Sequence, residues 1–266
     1  MKIINIDGKE QGNIDLPQQF KEEIRHDIIK RAVEVIQENK RQAYGAKPRA
    51  GKRSSANISK QRHDYKTSYG HGISRTPRKI LSRNGTQMNW VGAFAPNTVG
   101  GRRSHPPKAK RIFLKSINEK ERKKAIRSAL AASLDKKSVA DRGHIVPNNY
   151  PFFVSAGLEG IEKTKEVKKI LESFGLKDEL ARVEKSKVRA GRGKLRGRKY
   201  KSKKGPLIVV GNDCKLVKSA ANIPGVEIVQ IKNINCEMLA PGANIGRLTL
   251  FTENSIKELK EKSLFI

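Results

Sequence analysis

Acidic residues are what this chain lacks most. It carries 26 Asp and Glu against 57 Lys and Arg over 266 residues, a formal charge of +31. An excess of that size implies phosphate-rich partners, with anionic membrane surfaces a distant second. Cysteine is nearly absent. Cys214 and Cys236 lie far apart without Cys-x-x-Cys spacing, which leaves no disulfide scaffold and no cysteine-based zinc site, and both read as ordinary reduced residues. No run of about 20 apolar residues is present to span a bilayer, and Met1 to Asp7 lacks a signal-peptide core. The expectation is a cytosolic protein with no membrane partner.

Chemistry-bearing constellations are equally scarce. His26, His63, His71, His105 and His144 are scattered, and none pairs with another at metal-ligand spacing. Gly211-Asn212-Asp213 follows an apolar run, yet it lacks both a phosphate-loop Lys-Ser/Thr and a Gly-x-Gly-x-x-Gly context, so it reads as a helix-capping turn. No catalytic residue, metal or cofactor is therefore expected.

What is present is basic charge in two stretches. Residues 40–111 hold a single acid, Asp64, and are rich in glycine and proline. Their aliphatics bury too little to offset backbone ordering at ~1–2 kcal/mol per residue, and their charges repel, so the stretch is expected not to fold alone. A polyanion would order it. Its expected RNA-binding residues are Lys47, Arg49, Lys52, Arg53, Arg62, Lys66, Arg75, Arg78, Lys79, Arg83, Trp90, Arg102, Arg103 and Lys108. Tyr44, Tyr65, Tyr69 and Phe94 join Trp90 as planes on which unpaired bases stack beside a basic track. The run Met88 to Ala95 can equally close on itself as a small apolar knot. The second stretch adds Arg189, Arg192, Lys194, Arg196, Arg198 and Lys199, interleaved with Gly191, Gly193 and Gly197. These runs do not alternate in sign as a solvated helix face does.

The remainder, residues 1–39 and 112–266, has the pattern of a packed body. Ile3 to Ile6 reads as a strand. Asp15-Leu16-Pro17 is expected to open a helix running to about Asn39, with Phe20, Ile24, Ile28, Ala32 and Ile36 on its buried stripe. Asn118 with Glu121 suggests a capping box, Thr164 a second cap, Asp178 a third helix start, and Thr252 the start of the last helix. Pro151 to Ser155, Leu207 to Val210, Val226 to Ile231 and Leu248 to Phe251 are apolar runs separated by helical or turn segments. That cadence predicts an α/β fold, a largely parallel sheet flanked by helices, here carrying a long extended basic internal loop.

Several stretches resemble the fourth universal large-subunit ribosomal protein family in its archaeal and eukaryotic branch. They are Tyr44 to Gly51 (Tyr-Gly-Ala-Lys-Pro-Arg-Ala-Gly), Gly100 to Pro107 (Gly-Gly-Arg-Arg-Ser-His-Pro-Pro), Ser128 to Ser133, Arg189 to Lys199 continuing to Gly205-Pro206, and Asn222-Ile-Pro-Gly225 through Leu239-Ala-Pro-Gly242 to Gly246-Arg247. Together they cover most of the chain in order. The resemblance implies a structural ribosomal constituent, with an α/β domain on the outer face of the large subunit. Its long extension would thread ribosomal RNA to the polypeptide exit tunnel. Implied partners are large-subunit rRNA, neighbouring large-subunit proteins and, near the tip, the nascent chain. The implied tip is Tyr69, Gly70, His71, Gly72 and Ile73, where family members often carry Gly-Thr-Gly-Arg. The chain ends just after the last helix, without the eukaryotic extension, which points to the archaeal branch. The competing reading is an RNA-processing enzyme with basic substrate-holding arms, which would need carboxylates or a cofactor loop at strand ends, where Asp213 stands nearly alone.

Overall fold

A computed structural model describes residues 1–266. The chain divides into two compact units, Met1–Lys40 with Leu114–Ile266, and Arg41–Phe113. The strands are β1 (Lys2–Ile4), β2 (Glu10–Asn13), β3 (Arg78–Asn84), β4 (Gln87–Gly92), β5 (Phe153–Val154), β6 (Lys187–Val188), β7 (Tyr200–Lys201), β8 (Leu207–Val210), β9 (Glu227–Gln230) and β10 (Thr249–Thr252). The helices are α1 (His26–Asn39), α2 (Glu119–Leu134), α3 (Lys136–Asp141), α4 (Thr164–Leu171), α5 (Lys177–Glu184), α6 (Lys215–Ala220), α7 (Cys236–Leu239) and α8 (Glu253–Glu261).

The first unit is built on a sheet of order β2-β1-β5-β10-β8-β9, parallel throughout except for the β1/β2 pair. Successive side chains of a strand face opposite ways, so an unbroken apolar run must be covered on both sides. Leu207, Val209, Phe153 and Phe251 accordingly join α1, α2 and α8 in one core, while Ile208, Val210, Val154 and Leu250 join α4, α5 and α6 in the other. Each such side chain contributes about 1.5–3 kcal/mol on burial. The result is an α/β sandwich of three layers.

Several boundaries differ from expectation. α1 starts at His26 rather than near Asp15. Phe20 is instead buried from a single 3₁₀ turn, Gln18–Phe20. The Ser128 hydroxyl, on α2, accepts from the Arg25 N–H (2.7 Å) and donates to the Glu23 carbonyl (2.9 Å), capturing backbone groups that a continuous helix would need. Asn118 precedes α2 without a side-chain cap bond, and Thr164 is the first helical residue of α4, not its cap. Cys214, not the Gly211-Asn212-Asp213 turn, precedes α6, with no side-chain cap bond. The side chains that do cap are Asp135, Asn235 and Thr252. β2, Glu-Gln-Gly-Asn, is an exposed antiparallel edge with no apolar signal, and its polarity suits an edge.

The second unit, expected as an extended loop, holds a small two-stranded sheet. β3 and β4 form an antiparallel hairpin from Arg78↔Gly92 to Asn84↔Gln87. Gly85, at φ 59°, supplies the positive dihedral that a tight hairpin turn needs at its first central position. Ile80 lies opposite Trp90, the aliphatic–aromatic pairing that stabilises a ladder by about 0.2–1 kcal/mol. The apolar content is otherwise as thin as its composition: only Thr67, Ser68 and Ala93 are buried in this unit.

Candidate nucleic-acid interface

The outgoing and returning legs of the second unit run side by side. The Tyr44 and Phe113 rings stack at 5.8 Å and 12°, and the Ala46 N–H donates to the Pro107 carbonyl at 2.9 Å. Further along, a Cβ on Gly51 would collide with the Gly101 backbone, so only glycine permits that approach. The pairing gathers Lys47, Arg49, Lys52, Arg102, Arg103 and Lys108 around one groove of about 400 Å³. Six cations spread from Lys47 to Lys108 in the sequence thus share one groove.

Beyond the groove the cations rest on aromatic faces. Lys52 lies 5.5 Å from the Phe94 ring, Arg78 5.3 Å from Trp90, and Arg75 and Arg62 lie 4.7 and 5.9 Å from Tyr69. Such placements fix a guanidinium without neutralising it. Trp90 and Phe94 do not form the apolar knot: both rings stay partly open, each under a cation. Arg83 donates to the Tyr65 hydroxyl (3.0 Å) and to the Gly85 carbonyl (2.8 Å). Arg53 and Lys79 join neither the groove nor a ring. At the expected tip, Gly70 and Gly72 have φ of 74° and 65°, His71 is exposed, and Tyr69 and Ile73 are half-buried.

The second basic stretch belongs to the first unit. β6 and β7 pair antiparallel, Lys187↔Lys201 and Val188↔Tyr200, and Arg189 reaches the Arg198 carbonyl (3.1 Å) and, by its N–H, the Lys199 carbonyl (2.7 Å). Arg192, Lys194, Arg196, Arg198 and Lys199 are exposed along this hairpin. Its stem is fixed by buried charge. Glu179, fully buried, takes two bonds of 2.7 Å from Arg182, one contact of 2.6 Å with His144 Nδ1 and the Ile145 N–H at 3.0 Å, while Arg182 also donates to the Lys204 carbonyl at 2.9 Å. Burial alone would raise the Glu179 carboxyl, but Arg182, His144 and the Ile145 N–H outweigh it and hold it at about 2. Arg247, fully buried, donates to the Gly205 carbonyl (3.0 Å), Glu227 (2.6 Å) and the Met238 carbonyl (2.9 Å) just after the hairpin.

None of the expected RNA-binding cations pairs with a carboxylate, whereas ion pairs of the first unit tie its connecting segments to α2 and β9, as in Arg127–Glu22 and Arg247–Glu227. Residues 14–262 match the family described as ribosomal protein L4/L1. The chain is 48% identical over 264 residues to the large ribosomal subunit protein uL4 of Nanoarchaeum equitans, covering 99% of this chain and 98% of that one. It is 41% identical to the protein of that name from Archaeoglobus fulgidus, covering 98% of each chain, and 42% identical to that from Methanococcus vannielii, covering 98% and 99%. The chain belongs to the ribosomal protein L4/L1 family.

Membership removes the enzyme alternative, and the strand ends give a physical reason beside it. In parallel α/β sheets, ligands favour the crevice at the carboxyl ends of the strands. Here Glu159 fills it, accepting from the Thr252 hydroxyl (2.6 Å), Asn254 Nδ2 (2.8 Å) and the Gly211 N–H (3.2 Å). A fixed carboxylate at that place repels a phosphate. Cys214 beside it is a thiol whose pKa is raised by burial and then by Glu159, so it is a poor nucleophile. The family's Gly246-Arg247 pair, quoted above only as a motif, is the buried tie beside the basic hairpin. Missed by sequence reasoning were Phe113, the partner of Tyr44, and the His144–Glu179–Arg182 cluster. Phe113 had a signal, since it mirrors Tyr44 across the insert; the cluster had none, because its members lie 35 and 38 positions from His144 without a shared motif.

Proposed function

We propose that this chain is a structural, non-enzymatic constituent of the large ribosomal subunit, working in the cytoplasm bound to large-subunit rRNA and neighbouring ribosomal proteins. The observation that carries it is the unpaired charge. Cations without acidic partners, lining a glycine-backed groove and lying over aromatic rings, suit phosphate and unstacked bases. Lys47, Arg49, Lys52, Arg53, Arg102, Arg103 and Lys108 take phosphates on the legs. Arg62, Lys66, Arg75, Arg78, Lys79 and Arg83 do so toward the far end of the insert, where Trp90 offers a plane for a base, and Arg189, Arg192, Lys194, Arg196, Arg198 and Lys199 do so on the second hairpin.

The finer part of the reading is that residues 40–111 form a long extension penetrating rRNA, whose tip, Tyr69 to Ile73, lines the polypeptide exit tunnel and meets the nascent chain. Small backbone at Gly70 and Gly72 suits a narrow passage. The test is a density map of large subunits assembled with residues 65–78 deleted, a change that spares the groove and the second hairpin. The expected particle retains the chain and has a wider tunnel. An unchanged lumen, or particles without the chain, would overturn the tunnel assignment.

A further inference from the structure

Asp64 is an anomaly in the second unit. It is the one acid among residues 40–111, it forms no ion pair despite the surrounding cations, and a carboxylate opposes phosphate binding wherever it stands. Its oxygens accept from the Ser59 hydroxyl (2.6 Å) and the Tyr65 N–H (2.7 Å), one bond to each oxygen. Those two bonds hold the carboxyl below the usual carboxylate range, so it stays ionised and acts only as an acceptor. Each oxygen keeps a free lone pair.

Asp64 is one of the residues lining a groove of about 470 Å³, inside the ~300–1,000 Å³ range of small-ligand sites. Tyr65, Met88 and Trp90 give it flat and polarisable walls, and Lys66 and Arg83 stand at the same groove. Arg83 is already fixed by Tyr65 and Gly85, and Lys66 and Arg83 each lie 5.4 Å from the Tyr65 ring. Aromatic walls, cations for a phosphate and one acceptor-only group together make a nucleotide subsite rather than a phosphate track.

The acceptor decides which base fits. Guanine presents two adjacent donors on its Watson–Crick edge, N1–H and N2–H, which match the two oxygens of one carboxylate. Adenine and cytosine offer one amino group, and the single N–H of uracil is flanked by carbonyls that repel an anion. We propose that the Tyr65–Trp90 groove is a subsite for a single unpaired guanine of RNA, stacked on the aromatic walls, with Asp64 reading its Watson–Crick edge. This rests on the RNA-binding reading above and adds base selectivity to it.

Trp90 is the sole tryptophan, so its fluorescence reports the groove directly. The experiment titrates the full chain with pentaribonucleotides whose central base is G, A, C or U in a uridine background, following Trp90 quenching and, for variants, the anisotropy of labelled RNA. The central-G RNA should bind roughly tenfold more tightly than the others and quench most, the size expected of one bidentate base contact. Asp64→Asn should abolish that preference. Ser59→Ala, which removes a loop bond but leaves the carboxylate, should keep it. Equal affinity for all four RNAs with a steep salt dependence would overturn the guanine subsite alone, as would a preference that survives Asp64→Asn or binding that leaves Trp90 unquenched. Failure to bind any RNA would overturn the RNA-binding reading and the subsite with it.

Discussion

Arg247 in the first unit and Arg78 in the second are both held in place, by opposite means. Arg247 is wholly buried and meets the Glu227 carboxylate at 2.6 Å together with two carbonyls; Arg78 lies over the Trp90 ring at 5.3 Å and pairs with no carboxylate. The same contrast runs through both units. In the first, buried charge is neutralised internally and becomes part of the packing, and only the β6–β7 hairpin presents a run of unpaired cations; in the second, rings and glycine-close backbone position the cations and leave their charge available. Two hydrophobic cores stabilise the first unit, while the second buries three residues and depends on the pairing of its legs. One is a packed fold, and the other is a cation-rich surface built on paired backbone.

Removing a paired charge should therefore hurt the first unit most. Glu179→Gln leaves the half-buried Arg182 and the buried His144 against an uncharged partner and should cost roughly 3 kcal/mol in a denaturant melt followed by far-UV dichroism, the low end for broken buried pairs. A loss below about 1 kcal/mol would mean the cluster is not what fixes α5. Acid acts through the same group. Its folded value, about 2, lies below the ordinary 4.5, so its stabilisation is complete above pH 4.5 and is lost as pH falls toward 2. The expected decline across that window is about 3 kcal/mol, absent in Glu179→Gln.

Effects in the second unit should be smaller and local. Tyr44→Ala removes the stack on Phe113, worth about 0.5–1.5 kcal/mol, and should speed amide exchange at Ala46 several-fold while leaving β8 and β10 unchanged. Arg103→Ala, exposed and unpaired, should change stability in the same denaturant melt by no more than about 0.5 kcal/mol. A large stability loss there would erase the contrast between the units.

How far the sequence foretold this follows from where each signal lives. Leu207 to Val210 is legible because a β-branched apolar run has few other uses, and α8 because Thr252 caps it as its type suggests. The start of α1 was hidden, since the break at Arg25 is imposed by Ser128, 103 positions away. β2 was hidden because a polar edge strand exists only through its partner. In the interface, composition located the cations and the glycine pairs hinted at close backbone, but nothing local told that Lys47 and Lys108 share a groove. The β3–β4 hairpin was hidden because it lies inside a stretch whose charge density and glycine content point to an extended loop.

The central claim is that the unpaired cations of the second unit exist for phosphate. It is tested most directly by measuring affinity for a large-subunit rRNA fragment against salt, for the chain and for a variant with Lys47, Arg49, Lys52, Arg102, Arg103 and Lys108 all changed to alanine. If each neutralises one phosphate, log affinity should fall linearly with log salt for both proteins, with the variant's slope shallower by about 4 to 5 at ~0.7–0.9 per phosphate. Equal slopes, or a nearly flat line for the unmodified chain, would contradict the account.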